Sequence, residues 1–435
     1  MKNALLIFAF LSFYLSSVHA SVEIRSNKLT TGDGLANNSI RYMFQDSKGF
    51  MWMGTVNGLS YYDGNSFVSI YPDPNLPVSL ADPRIRNMEE DSNGFLWIAT
   101  LSSLYSCYDL KHGRFVDFTG CGEYKQSYSK KIIASDQSVW LWDNNNGCRR
   151  VVYQDGQFSS QAYKKESGNL SSDEVLFVYE SNDSPGHVWI GTRQGLWKYH
   201  EGKLEAMDTQ GESWEHIFSY DQYTCIITGK KEIYRHSLSN NRLEKIASLT
   251  ELGDTGVITG SLRLQHQWVM FTATGSYILD PVTGKLRRFS RLNIKNGNVT
   301  RDNKGNAWVH NYTGNVWYVN TSTGDIKPFQ FLSSEHLGYI DVERYSIIHD
   351  SRDIIWITTY GNGLFAYDLN TGGLQHFTFE VSHSSHINSN YLQYIIEDRS
   401  GGIWVSSEFS GLSHLEILNK GTLRILSLIH ISEPT

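Results

Sequence analysis

Glu89 and Glu90 are adjacent carboxylates, and His310, Tyr312, Tyr360 and Glu408 each follow a tryptophan-bearing segment. Groups of these types can run acid–base chemistry. Sugar-cleaving enzymes, for instance, hold two carboxyl groups across the scissile bond. No pair here stands at a spacing that marks an acid and its base, so no catalytic residue is assigned. The recurring Asp-x-x-Gly segments, such as Asp46-Ser-Lys-Gly49, offer one carboxylate each. A calcium loop needs several oxygen ligands at alternating positions and a distal glutamate. These segments read instead as tight turns, and no cysteine–histidine spacing suggests zinc. No metal or cofactor is expected.

Binding asks for less: aromatic faces to stack on a ligand, and planar polar groups to bond its edges. Trp142 is followed by Asp143, Asn144, Asn145 and Asn146. Later come Arg193 and Gln194, Asn311 and Tyr312, Tyr360 and Asn362, then Glu408 and Phe409. Tyr312, Tyr360 and Glu408 are the leading candidates to contact a ligand or partner. Arg41 and Arg86 stand at equivalent places, upstream of Asp46 and Asp91. Turned toward a ligand, they would favour an anion. Turned into the fold, they would satisfy main-chain carbonyls.

What must position these residues is a repeat. Asp46-Ser-Lys-Gly-Phe-Met-Trp52 returns as Asp91-Ser-Asn-Gly-Phe-Leu-Trp97. Drifted copies contain Val188-Trp-Ile-Gly-Thr-Arg-Gln-Gly-Leu196 and Ile355-Trp-Ile-Thr-Thr-Tyr-Gly-Asn-Gly-Leu364. Trp52, Trp97, Trp140, Trp189, Trp268, Trp308, Trp356 and Trp404 mark copies about 45 residues apart, with one anchor lost near Tyr223–Lys230. That makes nine copies. In the first, Ser39–Gln45, Phe50–Thr55, Leu59–Tyr62 and Ser66–Tyr71 read as four short strands, and Asn57-Gly58 is a strong hairpin signal.

Four strands per repeat is the pattern of a β-propeller blade. The class is therefore all-β, with each tryptophan filling the space between neighbouring sheets. Seven blades is a common closure. The stronger motifs of copies eight and nine suggest a fresh start. The expectation is a seven-bladed propeller over residues 21–331 and the first two blades of a second over 332–420. Val22–Asn27 is placed to close a ring by pairing with its last blade.

Residues 1–20 combine a basic start, an apolar core and Val18-His-Ala20, the pattern of a cleaved signal peptide. The expected location is outside the cytoplasm. The formal charge of −7 argues against nucleic acid as a partner. Cys107, Cys121, Cys148 and Cys225 would lie in an oxidising compartment, with Cys121 and Cys148 able to pair. Residues 421–435 match no copy and look foreign to the fold, so the chain reads as the front portion of a larger protein.

Leu29-Thr-Thr-Gly-Asp-Gly-Leu-Ala-Asn-Asn-Ser-Ile40, the first copy and Tyr394-Ile-Ile-Glu-Asp-Arg-Ser-Gly-Gly-Ile-Trp404 resemble the two-component regulator propeller family. The resemblance extends over nearly all of residues 28–416. It is closest to the sensor half of hybrid two-component systems of Bacteroides-type gut bacteria. It implies a periplasmic sensor of glycan-derived oligosaccharides, homodimeric when intact. Such sensors are anchored in the inner membrane and joined to a histidine kinase, none of whose motifs occurs here. Copies three, five and six depart from the motif. A secreted propeller lyase or glycosidase, or the sensor of a diguanylate cyclase, is the alternative.

Overall fold

The aspartate that ends the first strand of a repeat explains the tryptophan six residues later. The computed structural model describes residues 23–418, apart from 121, 123–126, 182, 209–212, 255–256, 303, 312–315, 330–345 and 381–385. In it, Asp46 Oδ1 accepts the amides of Lys48 and Phe50 at 3.0 and 2.9 Å, and Oδ2 accepts the Trp52 indole N–H at 2.8 Å. One carboxylate closes the hairpin and orients the ring. The bond recurs at Asp91–Trp97, Asp302–Trp308, Asp350–Trp356 and Asp398–Trp404, at 2.7–3.2 Å. Both partners are buried, and a buried polar group left alone is costly, so in these five blades each partner satisfies the other.

Nine four-stranded antiparallel sheets form among the described residues. The first strands of the blades are Ile40–Gln45, Ile85–Glu90, Lys130–Ile133, Val175–Ser181, His216–Asp221, Gly260–Leu264, Asn298–Arg301, Ile347–His349 and Leu392–Glu397. Most neighbouring first strands touch, as those of blades nine, one and two do, which places them innermost in the ring. The fourth strand of the ninth sheet is supplied by the start of the chain. Glu23–Leu29 pairs with Leu412–Leu418, from Leu29 opposite Leu412 to Glu23 opposite Leu418.

The seven-plus-two expectation is therefore corrected to a single ring of nine blades. An apolar cluster fills each blade interface. Trp308, Val316 and Phe329 of blade seven pack on Ile347, Ile355, Ile357 and Phe365 of blade eight, with no break. Lys304 of blade seven also bonds His349 and Asp353 of blade eight. The ring closes where Trp404 and Leu412 of blade nine meet Ile40, Met43, Met51 and Met53 of blade one. Motif strength tracks the Asp–Trp bond, which blades three to six lack among the described residues, and does not mark a new ring. The boundary expected at residue 331 lies outside the described residues, as do residues 1–20 and 421–435.

A second repeated bond joins neighbours on the face that carries the first turn of each blade. The Ser47 amide and hydroxyl both donate to Glu90, at 2.6 Å each. Ser135 does the same to Glu180 (2.5 and 2.7 Å), and Ser351 to Glu397 (2.9 and 2.5 Å). The Arg399 amide donates to Gln45 Oε1 at 2.9 Å, which makes the corresponding contact from blade nine to blade one.

The anchors are not all alike. Trp140 and Trp189 are fully buried with no indole acceptor among the described residues. Ala134 occupies the aspartate's place in blade three, and Asp183 instead accepts the Ser219 hydroxyl at 2.7 Å. Trp268 is out of register. Thr272 opens the next turn as Thr55 does, so Val269 matches Trp52. A slip of one residue turns a side chain to the other face. Trp268 accordingly packs toward blade five, and Val269 toward blade seven. In blade five the anchor strand is Thr224–Thr228; Gly229 opens the next turn, so Ile226 stands in the tryptophan's place and packs toward blade six. Trp214, from the preceding loop, fills the interface with blade four beside Cys225. Cys107, Cys148 and Cys225 are free buried thiols, and Cys121 lies outside the described residues. Burial pushes the Cys225 thiol up to about 12.

Candidate ligand-binding site

Arg41 and Arg86 each sit at a register irregularity of a first strand, between Ile40 and Tyr42 and between Ile85 and Asn87. Such bulges re-aim a side chain. The Arg86 guanidinium reaches across to blade three and donates to the Ser129 carbonyl. Beside it a cavity of about 440 Å³ opens between blades two and three, lined in part by Arg86, Glu89, Tyr105, Lys130, Lys131 and Trp142. Two residues picked from sequence, Arg86 and Trp142, thus share one cavity. Arg41 is not among its lining residues; its Nε is buried without an acceptor among the described residues.

The charges here are unevenly matched. Lys131 pairs with Glu89. Lys130 donates to the Leu176 carbonyl at 3.2 Å, and burial, then the neighbouring Arg86, holds its ammonium below the usual lysine range. Burial pushes the Tyr105 phenol up to about 12, against the opposing pull of Arg86. The Trp142 indole N–H is buried and has no acceptor among the described residues.

A second cluster lies on the rim of blades eight and nine. Tyr360 and Tyr391 form a main-chain bridge, and their rings meet edge to face with centroids 5.1 Å apart. The Glu408 amide donates to the Tyr391 carbonyl at 3.0 Å. Tyr391 is 49% exposed and Phe409 70%, so two aromatic faces are open to solvent. The loops beneath are fixed. Asn390 bonds both the amide and the carbonyl of Phe379, at 2.7 and 3.2 Å, and Asn388 donates to the Ser410 and Leu412 carbonyls. Asn362 serves this loop with its backbone, its amide bonding Thr359 Oγ1 and its carbonyl accepting from His376. Tyr312 lies outside the described residues.

The other candidates are occupied locally. Asp143 accepts the amides of Asn145 and Asn146 at 2.8 and 2.7 Å, and Asn146 also bonds the Ser127 carbonyl. Arg193 pairs with Glu174 and Glu215. The Gln194 amide closes onto Thr192 Oγ1, and Asn311 donates to the Lys295 carbonyl. Glu90 is taken up by Ser47, and His310 bonds Thr300 at 3.2 Å. Among the described residues no group of three His, Cys, Asp or Glu side chains could hold a metal.

Sequence reasoning missed Tyr105, Lys130 and Tyr391. Lys130-Lys131 opens the first strand of blade three as Arg86 does that of blade two, a parallel obscured by that copy's drift. Another cavity, of about 950 Å³, also went unread. It spans blades four to seven toward the opposite face, with Asp183, Ser219, Arg263 and Arg301 in its wall.

The family model described as "Two component regulator propeller" matches residues 34–57 and 79–102, across the anchors of blades one and two. No curated protein sequence matches the chain. Among solved structures, the chain is similar to the extracellular domain of the putative hybrid two-component system BT4673 from B. thetaiotaomicron. The identity is 18% and the TM-score 0.41, over 90% of this chain and 58% of that one. The corresponding domain of BT3049 from the same organism is 20% identical with a TM-score of 0.33, over 90% and 65%. The Dos1 propeller is 11% identical with a TM-score of 0.50, over 90% and 94%. The chain thus spans less than two thirds of either extracellular domain. The family likeness rests on the repeats of blades one and two.

Proposed function

We propose that this chain is the ligand-recognising region of an extracytoplasmic sensor that binds a glycan-derived oligosaccharide without cleaving it. The observation that carries the reading is the rim of blades eight and nine. There Tyr391 and Phe409 present open aromatic faces beside Tyr360 and Glu408, on loops fixed by Asn388 and Asn390. Sugars dock by stacking on such faces while polar groups bond their hydroxyls. The repeat family supports a sensor role, and the leader-like residues 1–20 support a periplasmic site. In the parent protein the ring would relay occupancy across the inner membrane to a histidine kinase, as a homodimer.

Calorimetry of this chain against a panel of neutral oligosaccharides tests the reading. Tyr391→Ala and Tyr360→Ala should each weaken binding at least about tenfold, the equivalent of about 1.4 kcal/mol. Unchanged affinity in both would remove the rim from the site.

A further inference from the structure

We propose that the cavity between blades two and three is a subsite for an acidic group, a sulfate or carboxylate carried on the sugar, held by Arg86 and Lys130. This deepens the sensing reading and rests on it for the sugar, whereas the anion site stands on the geometry alone. Arg86 and Lys130 line the same cavity, and neither forms an ion pair among the described residues. Both donate to neutral main-chain carbonyls, of Ser129 and Leu176. Those bonds leave further donors on a guanidinium with five N–H groups and an ammonium with three. The nearby Glu89 is already matched by Lys131. Two neighbouring cations with no counter-charge raise each other's cost, and an oxyanion between them relieves it through charge-assisted bonds.

Two further features suit a ligand larger than a bare ion. Trp142 borders the cavity with a buried indole N–H that has no acceptor among the described residues. The volume, about 440 Å³, falls within the range of ligand clefts, roughly 300–1,000 Å³.

Calorimetry at fixed ionic strength, with inorganic sulfate, a sulfated monosaccharide, glucuronate and the neutral parent sugar, tests the subsite. The acidic sugars should bind at least about tenfold tighter than the neutral parent. Arg86→Gln and Lys130→Gln should each remove at least about tenfold of that preference. Arg84→Gln, at an exposed residue paired with Asp82, should change nothing. Arg86→Lys keeps the charge without the fork and should fall between, which covers the case of a glutamine variant that fails to fold. Equal binding of acidic and neutral sugars, or equal loss in the Arg84 control, overturns the subsite. Inorganic sulfate binding as tightly as the sulfated sugar overturns the sugar-borne class. Loss of neutral-sugar binding in Tyr391→Ala with the acid preference intact supports the subsite separately from the rim.

Discussion

Replacing Asp91 by alanine should destabilise the ring more than any single surface change, and the loss can be worked from the contacts. Oδ1 accepts the amides of Asn93 at 2.9 Å and Phe95 at 3.0 Å, and Oδ2 accepts the Trp97 indole at 2.8 Å. The bonds to Phe95 and Trp97 are buried. Each buried donor left without an acceptor costs about 1–3 kcal/mol, so the two together imply roughly 2–6 kcal/mol. Asn93 adds little, because water can reach its amide. Asn in place of Asp keeps one oxygen but turns an amine toward one of the donors, so about half the loss should remain. Urea unfolding followed by tryptophan emission reads the difference as a shift in midpoint at constant slope. A shift worth less than about 1 kcal/mol for Asp91→Ala would refute the view that the carboxylate explains the tryptophan.

Three other outcomes follow from the same contacts. Ala134→Asp should supply the missing acceptor for Trp140 and raise stability by about 1 kcal/mol; a lower melting temperature would contradict it. Gly411 has φ 79°, and a Cβ there would meet the Leu29 carbonyl at 2.2 Å, so Gly411→Ala should cost more than about 1 kcal/mol and speed proteolysis of the closing strand. Burial, then Lys198, lowers the pKa of His236 to about 4, so the unfolded chain takes up the proton first on acidification. Stability should therefore fall from about pH 6.5 toward pH 4, and His236→Gln should flatten that fall in pH-dependent unfolding.

The blade was legible in the sequence because, in blades one, two and seven to nine, its turn and its anchor are one hydrogen-bonded unit at a fixed spacing of six residues. The ring was not. The Asp–Trp bond is missing from blades three to six, and this made blades eight and nine look like a second beginning. The slip of Trp268 shows in the sequence only as its spacing to Thr272, one residue longer than from Trp52 to Thr55. Trp214 belongs to no repeat position, yet it fills the gap beside Cys225. At the site, Trp142 and Arg86 were readable one by one. Their meeting depends on which first strand faces which neighbour, and so on a closed ring. Tyr391 escaped notice because it leads into its blade from a loop and follows no anchor.

The most direct test of the central claim is equilibrium binding of an acidic oligosaccharide panel to this chain, followed by mass analysis of the recovered ligand. The account predicts saturable binding that depends on Tyr391 and Arg86, with every recovered ligand unchanged in mass. Shortened or unsaturated products, or no binding by any member of the panel, would contradict it.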